Sequence, residues 1–267
     1  MEFHAIVHDI SYGLLVCGLE RPLSVTISTF DIDVLYFLET LYDPAVQYDI
    51  WYWYATESIG GSMDLSRISL PSNVRLHHLD HNHAKFWYIE TETTARLVVT
   101  SANLTYGMMH NCLQALAIVT APRSRRGSTT GKMAPFFGIY GITLDTAIAG
   151  LLENRLVFNI PGHYNGIEKW LAAQKSLVID SNNVTFTYLP SVPKKIIART
   201  DIPQSATRIV AYYSTERRPP STVVEHVQYA GMFHHKLYYT DKSLLLSSSN
   251  FSYSHKSNYE LGILIDE

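Results

Sequence analysis

Histidine, lysine and asparagine recur twice in this sequence, in the same order and with nearly the same spacing. His83-x-Lys85 is followed by an apolar run and then Ser101-x-Asn103; His234-x-Lys236 is followed by a similar run and then Ser248-x-Asn250. In each copy a further asparagine comes eight residues after the first, at Asn111 and Asn258, and each copy closes on an apolar run, 116–119 and 261–265. The copies differ by four residues between His and the first Asn, and the polar stretch 90–94 reads as a longer hairpin turn in the first. A single His-x-Lys arises by chance on any edge strand. Two copies with matching downstream residues point to a duplication, which in a chain of this size implies a pseudo-twofold architecture.

If the two sets face each other, their chemistry is that of a phosphodiester. Lys85 and Lys236 supply fixed positive charge where negative charge grows on the non-bridging oxygens, and Asn103 and Asn250 donate hydrogen bonds there. One neutral imidazole can attack phosphorus to give a phosphohistidine; the other, protonated, can give its proton to the leaving oxygen and later activate water. Such a site needs no metal and no cofactor.

The elements that must position these groups are legible in outline. The runs 86–89 and 97–100 are rich in aromatic and β-branched residues and read as two strands of a hairpin. Residues two apart on a strand share a face, so each imidazole and its lysine point together. Residues 103–105 read as the entry to a helix, with side chains able to cap free N–H groups. Upstream, 23–30 reads as a buried strand, 33–41 as a helix and 49–55 as another strand. Downstream, 166–175 reads as a helix and 208–213 as a strand. Alternation of this kind predicts an α/β fold of two mixed lobes, 1–150 and 151–267, sharing one site, with the boundary between 142 and 162.

Taken together, His234-x-Lys236, Asp241, Ser248-x-Asn250 and Asn258-x-Glu260 resemble the HKD motif of the phospholipase D superfamily. The first copy departs from it: Glu90 stands where the aspartate would, Leu113 stands at the Asn-x-Glu position, and Gln114 follows one residue later. That departure is similar to the tyrosyl-DNA phosphodiesterase branch, which lacks the motif aspartates and uses Gln in one half and Glu in the other. The stretches 101–105 and 258–264 also look like that branch. The resemblance covers roughly 77–120 and 232–267. It implies that Glu260 orients His83 and Gln114 orients His234, each across the lobe interface, with Ser101, Ser248 and Asp241 supporting the phosphate. A carboxylate behind His83 fixes its tautomer and stabilises positive charge, which suits a nucleophile; a neutral amide behind His234 leaves a readier proton donor.

Composition narrows the classes. Hydrophobic residues make up 46% and charged residues 17% of 267 residues, with net charge −3, so a large core is available and the surface is not broadly basic. Cys17 and Cys112, without CxxC spacing, read as two buried thiols. The apolar run 10–19 is too short to span a bilayer and lacks a preceding Lys or Arg, so the chain reads as soluble and intracellular.

Weaker signals have plain structural readings beside functional ones. His77, His78, His81 and His83 cluster without the Cys or carboxylate partners of a zinc set, and read as a strand and turn approaching the site, with His77, His78 and His235 bordering it. The stretch 127–132 lacks the first glycine and the Ser/Thr of a phosphate-binding loop; 121–132 reads as a mobile basic loop. Arg123, Arg125, Arg126 and Lys132, and the pair Arg217 and Arg218, are candidate contacts to a nucleic-acid backbone or solvated surface. Eighteen tyrosines and four tryptophans could stack bases, but the alternation of Trp51, Tyr52, Trp53 and Tyr54 is also what a half-buried strand needs.

The expected protein is thus a phosphodiesterase acting on DNA, single-stranded or at 3′ ends, able to work as a monomer because both motifs lie in one chain. A lipid phosphodiesterase would need an interfacial helix or polybasic segment that the sequence lacks. A binding scaffold would have no use for both histidines.

Overall fold

Strand-forming runs on either side of each His-x-Lys pair build two sheets with the same plan. The computed structural model describes residues 2–7, 9–57, 61–124, 131–200, 220–228 and 232–266. Arg125, Arg126, Arg217, Arg218 and the strand expected over 208–213 lie outside these residues, as does most of the loop expected over 121–132.

The first sheet runs, from edge to edge, Glu2–Val7, Cys112–Pro122, Thr94–Thr100, Phe86–Glu90, Ser24–Ser28, Gln47–Tyr52 and Val74–His78. The second contains, in corresponding order, Leu156–Ile160, Glu260–Asp266, Ser243–Ser247, Lys236–Tyr239, Leu177–Ser181, Lys194–Thr200 and Thr222–Gln228, with the short strand Tyr164–Asn165 added outside the first of these. Directions match as well. In both sheets the first five strands are antiparallel and the last two join in parallel. The duplication seen in two motifs therefore extends over the described chain, and the fold is the two-lobed mixed α/β arrangement expected.

Side-chain alternation divides the strands between two kinds of core. In the first sheet Phe86, Tyr88, Leu97, Val99, Ala117 and Val119 join a core shared with Phe158, Leu237, Leu246, Leu261 and Ile263 of the second. Their neighbours Trp87, Ile89, Val98, Leu116 and Ile118 face the other way and pack with Val34, Tyr36 and Phe37 of the helix Val34–Thr40. On the far side of the second sheet, Ile179, Tyr238 and Leu245 pack with Ile167 and Leu171 of the helix Gly166–Ala172. A core sealed between the two sheets makes the halves one unit, since separating them would expose that whole apolar set to water.

Several elements differ from the sequence reading. The strand expected over 49–55 breaks at Trp53 into Gln47–Tyr52 and Tyr54–Glu57, and the second piece pairs with Asp31–Ile32 in a small separate sheet. The short helices Tyr12–Val16, Ala134–Ile139 and Thr146–Leu152 carry no helical period long enough to read. Cys112 is buried, but Cys17, just past the first of these helices, is exposed.

The four extra residues of the first repeat are not in its turn. Thr91 N–H donates to Thr94 O (2.8 Å) and Thr240 N–H to Ser243 O (2.9 Å), and in each turn the threonine hydroxyl oxygen accepts from the fourth residue's N–H at 2.9 Å. The turns are the same. Thr91 follows Lys85 by six residues where Thr240 follows Lys236 by four, and Ser101 follows Thr94 by seven where Ser248 follows Ser243 by five. Each strand is longer by two, and two is the one small increment that leaves every side chain on its original face.

Candidate active site

Neither His83 nor His234 sits inside its own hairpin. Each lies just before a strand and is tied by its backbone to the other half of the chain. His83 N–H donates to Tyr259 O (3.0 Å), and Tyr259 N–H donates back to His81 O (2.9 Å). His234 N–H donates to Leu113 O (2.9 Å), and Met232–Phe233 pairs in parallel with Cys112 and Leu113. The exchange is reciprocal, and it brings the two His-Lys sets together: Lys85 and His83 act on His234 electrostatically, and Lys236 acts on His83.

The imidazoles are held differently. His83 Nδ1–H lies 3.0 Å from the carboxylate of Glu260, so Nε2 carries the lone pair. His234 Nδ1 lies 2.9 Å from the carbonyl of Ser101, and since a carbonyl only accepts, this nitrogen bears the hydrogen and Nε2 is again the free base. Gln114 does not touch His234 as the resemblance implied. Its Oε1 accepts from Ser101 Oγ (2.6 Å), its Nε2 donates to Met108 O (2.9 Å), and it reaches His234 only through Ser101.

Gln114 is nonetheless the counterpart of Glu260. Ser101 Oγ donates to Gln114 and Ser248 Oγ to Glu260 (2.5 Å); Ala115 N–H donates to Ser101 Oγ and Leu261 N–H to Ser248 Oγ, both at 3.0 Å. Ser101 and Ser248 therefore brace the residues behind the histidines. The single-residue offset in spacing is absorbed between them, where the first repeat has the α-helix Tyr106–His110 and the second the more extended 3-10 turn Tyr253–Ser257.

Both lysines are fully buried, and each ammonium donates to the backbone carbonyl of its own histidine: Lys85 to His83 O (2.9 Å), Lys236 to His234 O (2.7 Å). Lys236 Nζ also lies 3.1 Å from His234 Nε2 and hydrogen-bonds it. Burial lowers Lys85 to about 8, against the pull of Glu260 and Asp31. Burial and the neighbouring Lys85 lower Lys236 well below the ordinary lysine value, with Glu260 opposing. Burial, Lys236 and Lys85 push His234 well below the ordinary histidine value. For His83 burial outweighs the Glu260 carboxylate, and the imidazole is neutral at rest. Burial disfavours the charge on Glu260, but His83, Lys85 and Ser248 hold it ionised below the usual range. The amide oxygens of Asn103 and Asn250 are buried without a partner among the described residues.

Other expected residues fall elsewhere. Asp241 is exposed at the hairpin turn, five residues along the strand from Lys236, roughly 16 Å at strand rise, and cannot support a phosphate held by the lysines. His235 points to the opposite face, fully buried 3.0 Å from Asp180. His77 binds Asp49 (2.8 Å) and stacks on Trp51, and His78 binds Trp53 O (3.1 Å). Arg123 is anchored to Thr91 O and Glu90 at the turn end of the first hairpin, and Lys132 is exposed beside the helix Ala134–Ile139. Asn82 went unnoticed in the sequence. Fully buried, it donates to Thr29 O and Trp51 O (both 3.1 Å) and accepts from Ser28 and Tyr140, fixing the backbone next to His83. Nothing but adjacency to His83 marks it.

This arrangement is the phospholipase D-type fold of two mixed α/β lobes. A histidine-to-arginine variant of yeast tyrosyl-DNA phosphodiesterase 1 superposes with a TM-score of 0.69 at 12% identity, over 99% of this chain and 89% of that one. The yeast tyrosyl-DNA phosphodiesterase structure without a stated variant gives 0.61 at 11% identity, over 99% and 88%. A polyphosphate kinase from Porphyromonas gingivalis gives 0.56 at 10% identity, over 96% of this chain and 43% of that one. No family model and no curated protein sequence matches the chain.

Proposed function

We propose that the chain is a metal-independent phosphodiesterase acting on DNA, through a covalent intermediate on His83. The observation that carries this reading is the pair of imidazoles brought together from the two repeats, each with Nδ1 held from the other repeat so that Nε2 is the basic nitrogen, beside two buried lysines. The same reading divides the chain into lobes 1–150 and 151–267.

In the first step the Nε2 lone pair of His83 attacks phosphorus, and the bond to the leaving oxygen breaks with its electron pair going to that oxygen. The resulting charge on His83 is met by Glu260, and the non-bridging oxygens by Lys85, Lys236, Asn103 and Asn250. His234 Nε2 delivers the proton to the leaving oxygen. At rest burial and the two lysines keep this imidazole neutral; an arriving phosphate draws the lysines to its own oxygens and lets His234 take up a proton. In the second step His234 removes a proton from water, water attacks phosphorus, and the electron pair of the P–N bond returns to His83.

The test is activity of the full chain, in EDTA, on a 3′-phosphotyrosyl oligonucleotide, plain single-stranded DNA and phosphatidylcholine vesicles. Cleavage of either DNA substrate is expected. Cleavage of the lipid alone would replace the nucleic-acid reading, and no cleavage of any would overturn the phosphodiesterase reading.

A further inference from the structure

Beside His83 the protein keeps a run of aromatic rings that the chemistry above does not use. Phe30 meets the His83 ring edge-on at 4.9 Å between centroids, and Lys85 Nζ lies 5.7 Å from the Phe30 centroid. Phe30 in turn meets Trp53 at 5.6 Å and Tyr54 at 5.1 Å; Trp53 and Tyr54 stack at 4.9 Å, and Trp53 meets His81 at 4.9 Å. None of these rings belongs to the three cores. Phe30 and Trp53 are half-buried, His81 is exposed and Tyr54 is 48% exposed.

The run is built, not accidental. Phe30 O accepts from both Trp53 N–H (3.3 Å) and Tyr54 N–H (2.9 Å), where the strand expected over 49–55 breaks. His81 is in the left-handed region (φ 62°), costly for a side chain with a Cβ, and its carbonyl is held there by Tyr259 N–H from the second half. The backbone exchange with Tyr259 that seats His83 therefore seats His81 as well.

We infer that Phe30, Trp53, Tyr54 and His81 form a stacking shelf for the nucleobases of the strand that stays attached to His83, an inference that rests on the function proposed above. In a displacement at phosphorus the nucleophile and the leaving oxygen stand on opposite sides, so the leaving group departs toward His234. The ester that remains is bonded to the phosphorus on His83, and its nearest base lies beside the neighbours of that histidine. Every base has a π face, so such rings bind without regard to sequence, and each stacked base adds about 5- to 100-fold in affinity. A lipid chain would call for an apolar trough; here the rings are interleaved with an imidazole and a buried ammonium.

The experiment compares binding, by fluorescence anisotropy, of a labelled single-stranded oligonucleotide and an abasic strand of the same length to the full chain and to Tyr54→Ala, Trp53→Ala and Trp53→Phe. The wild-type chain is expected to prefer the base-bearing strand about 5- to 100-fold. That preference collapses toward unity in the two alanine variants, while Trp53→Phe keeps most of it. Equal affinity of the wild-type chain for both strands, or a preference that survives both alanine variants, overturns the shelf. Base-dependent binding without cleavage of any DNA would remove the phosphodiesterase reading, and with it the attached strand, leaving only a base-binding surface; cleavage without base preference would overturn the shelf and keep the phosphodiesterase reading.

Discussion

His83 Nδ1 rests against Glu260, a carboxylate contributed by the other repeat 3.0 Å away, whereas His234 Nδ1 rests at 2.9 Å against the neutral Ser101 carbonyl. The counterpart of Glu260, Gln114, stands one residue further back, behind the Ser101 hydroxyl. A symmetric scaffold thus carries an asymmetric pair of imidazoles. Only one of them has a full negative charge to stabilise the cation formed when it bonds to phosphorus.

The two histidines should therefore fail differently. His83→Ala removes the nucleophile, and no covalent enzyme–DNA species is expected. His234→Ala keeps it, so attack continues on a good leaving group such as a phenolate, while breakdown of the intermediate slows for want of a base. A denaturing gel should show a trapped band with the His234 variant alone. A band with His83→Ala instead would reverse the roles.

The residues behind the imidazoles predict a graded series. Glu260→Gln keeps the hydrogen bond and loses the charge, and should lower kcat about 10- to 10⁴-fold. Gln114→Ala acts on His234 only by loosening Ser101, and should cost roughly 3- to 10-fold, the worth of one hydrogen bond. Equal losses at the two positions would mean that the asymmetry has no catalytic meaning.

Lys85 sets an alkaline limit. With its ammonium lowered to about 8, the free protein loses that charge as pH rises through 8, and kcat/KM should fall above it. Lys85→Arg, whose guanidinium stays charged, should move the limb upward if the variant is active. A pH profile flat to 10 in the wild-type protein would exclude a charged Lys85 from the reaction.

The buried lysines should also weaken the fold. Lys236 releases its proton more readily folded than unfolded, so the unfolded chain binds more protons between the two values and stability rises with pH across that window. Tm should climb with pH across that window, below the range where buried tyrosines reverse the trend. Lys236→Met should be inactive, flatter with pH and more stable at pH 7 by roughly 1 to 3 kcal/mol. A destabilised, equally pH-dependent variant would show that the ammonium is compensated inside the protein.

Much of this was legible in the sequence because catalytic chemistry restricts residue type. His83, Lys85, Asn103 and their partners at 234, 236 and 250 stand out because no packing requirement asks for that set twice, and runs of aromatic and β-branched residues revealed the hairpins that carry them. The helix at Val34–Thr40 is opened by Asp33, whose side chain accepts the Tyr36 N–H, a local signal. Contacts between distant segments leave no such trace. That Tyr259 seats His83, that Gln114 stops at Ser101, that Asp241 ends on an exposed turn and that the strand at Trp53 breaks to lay rings beside the site are results of how two sheets close on one core. Those choices depend on registers and on residues up to 177 positions apart, as His83 and Glu260 are, and they are fixed only when the tertiary structure forms.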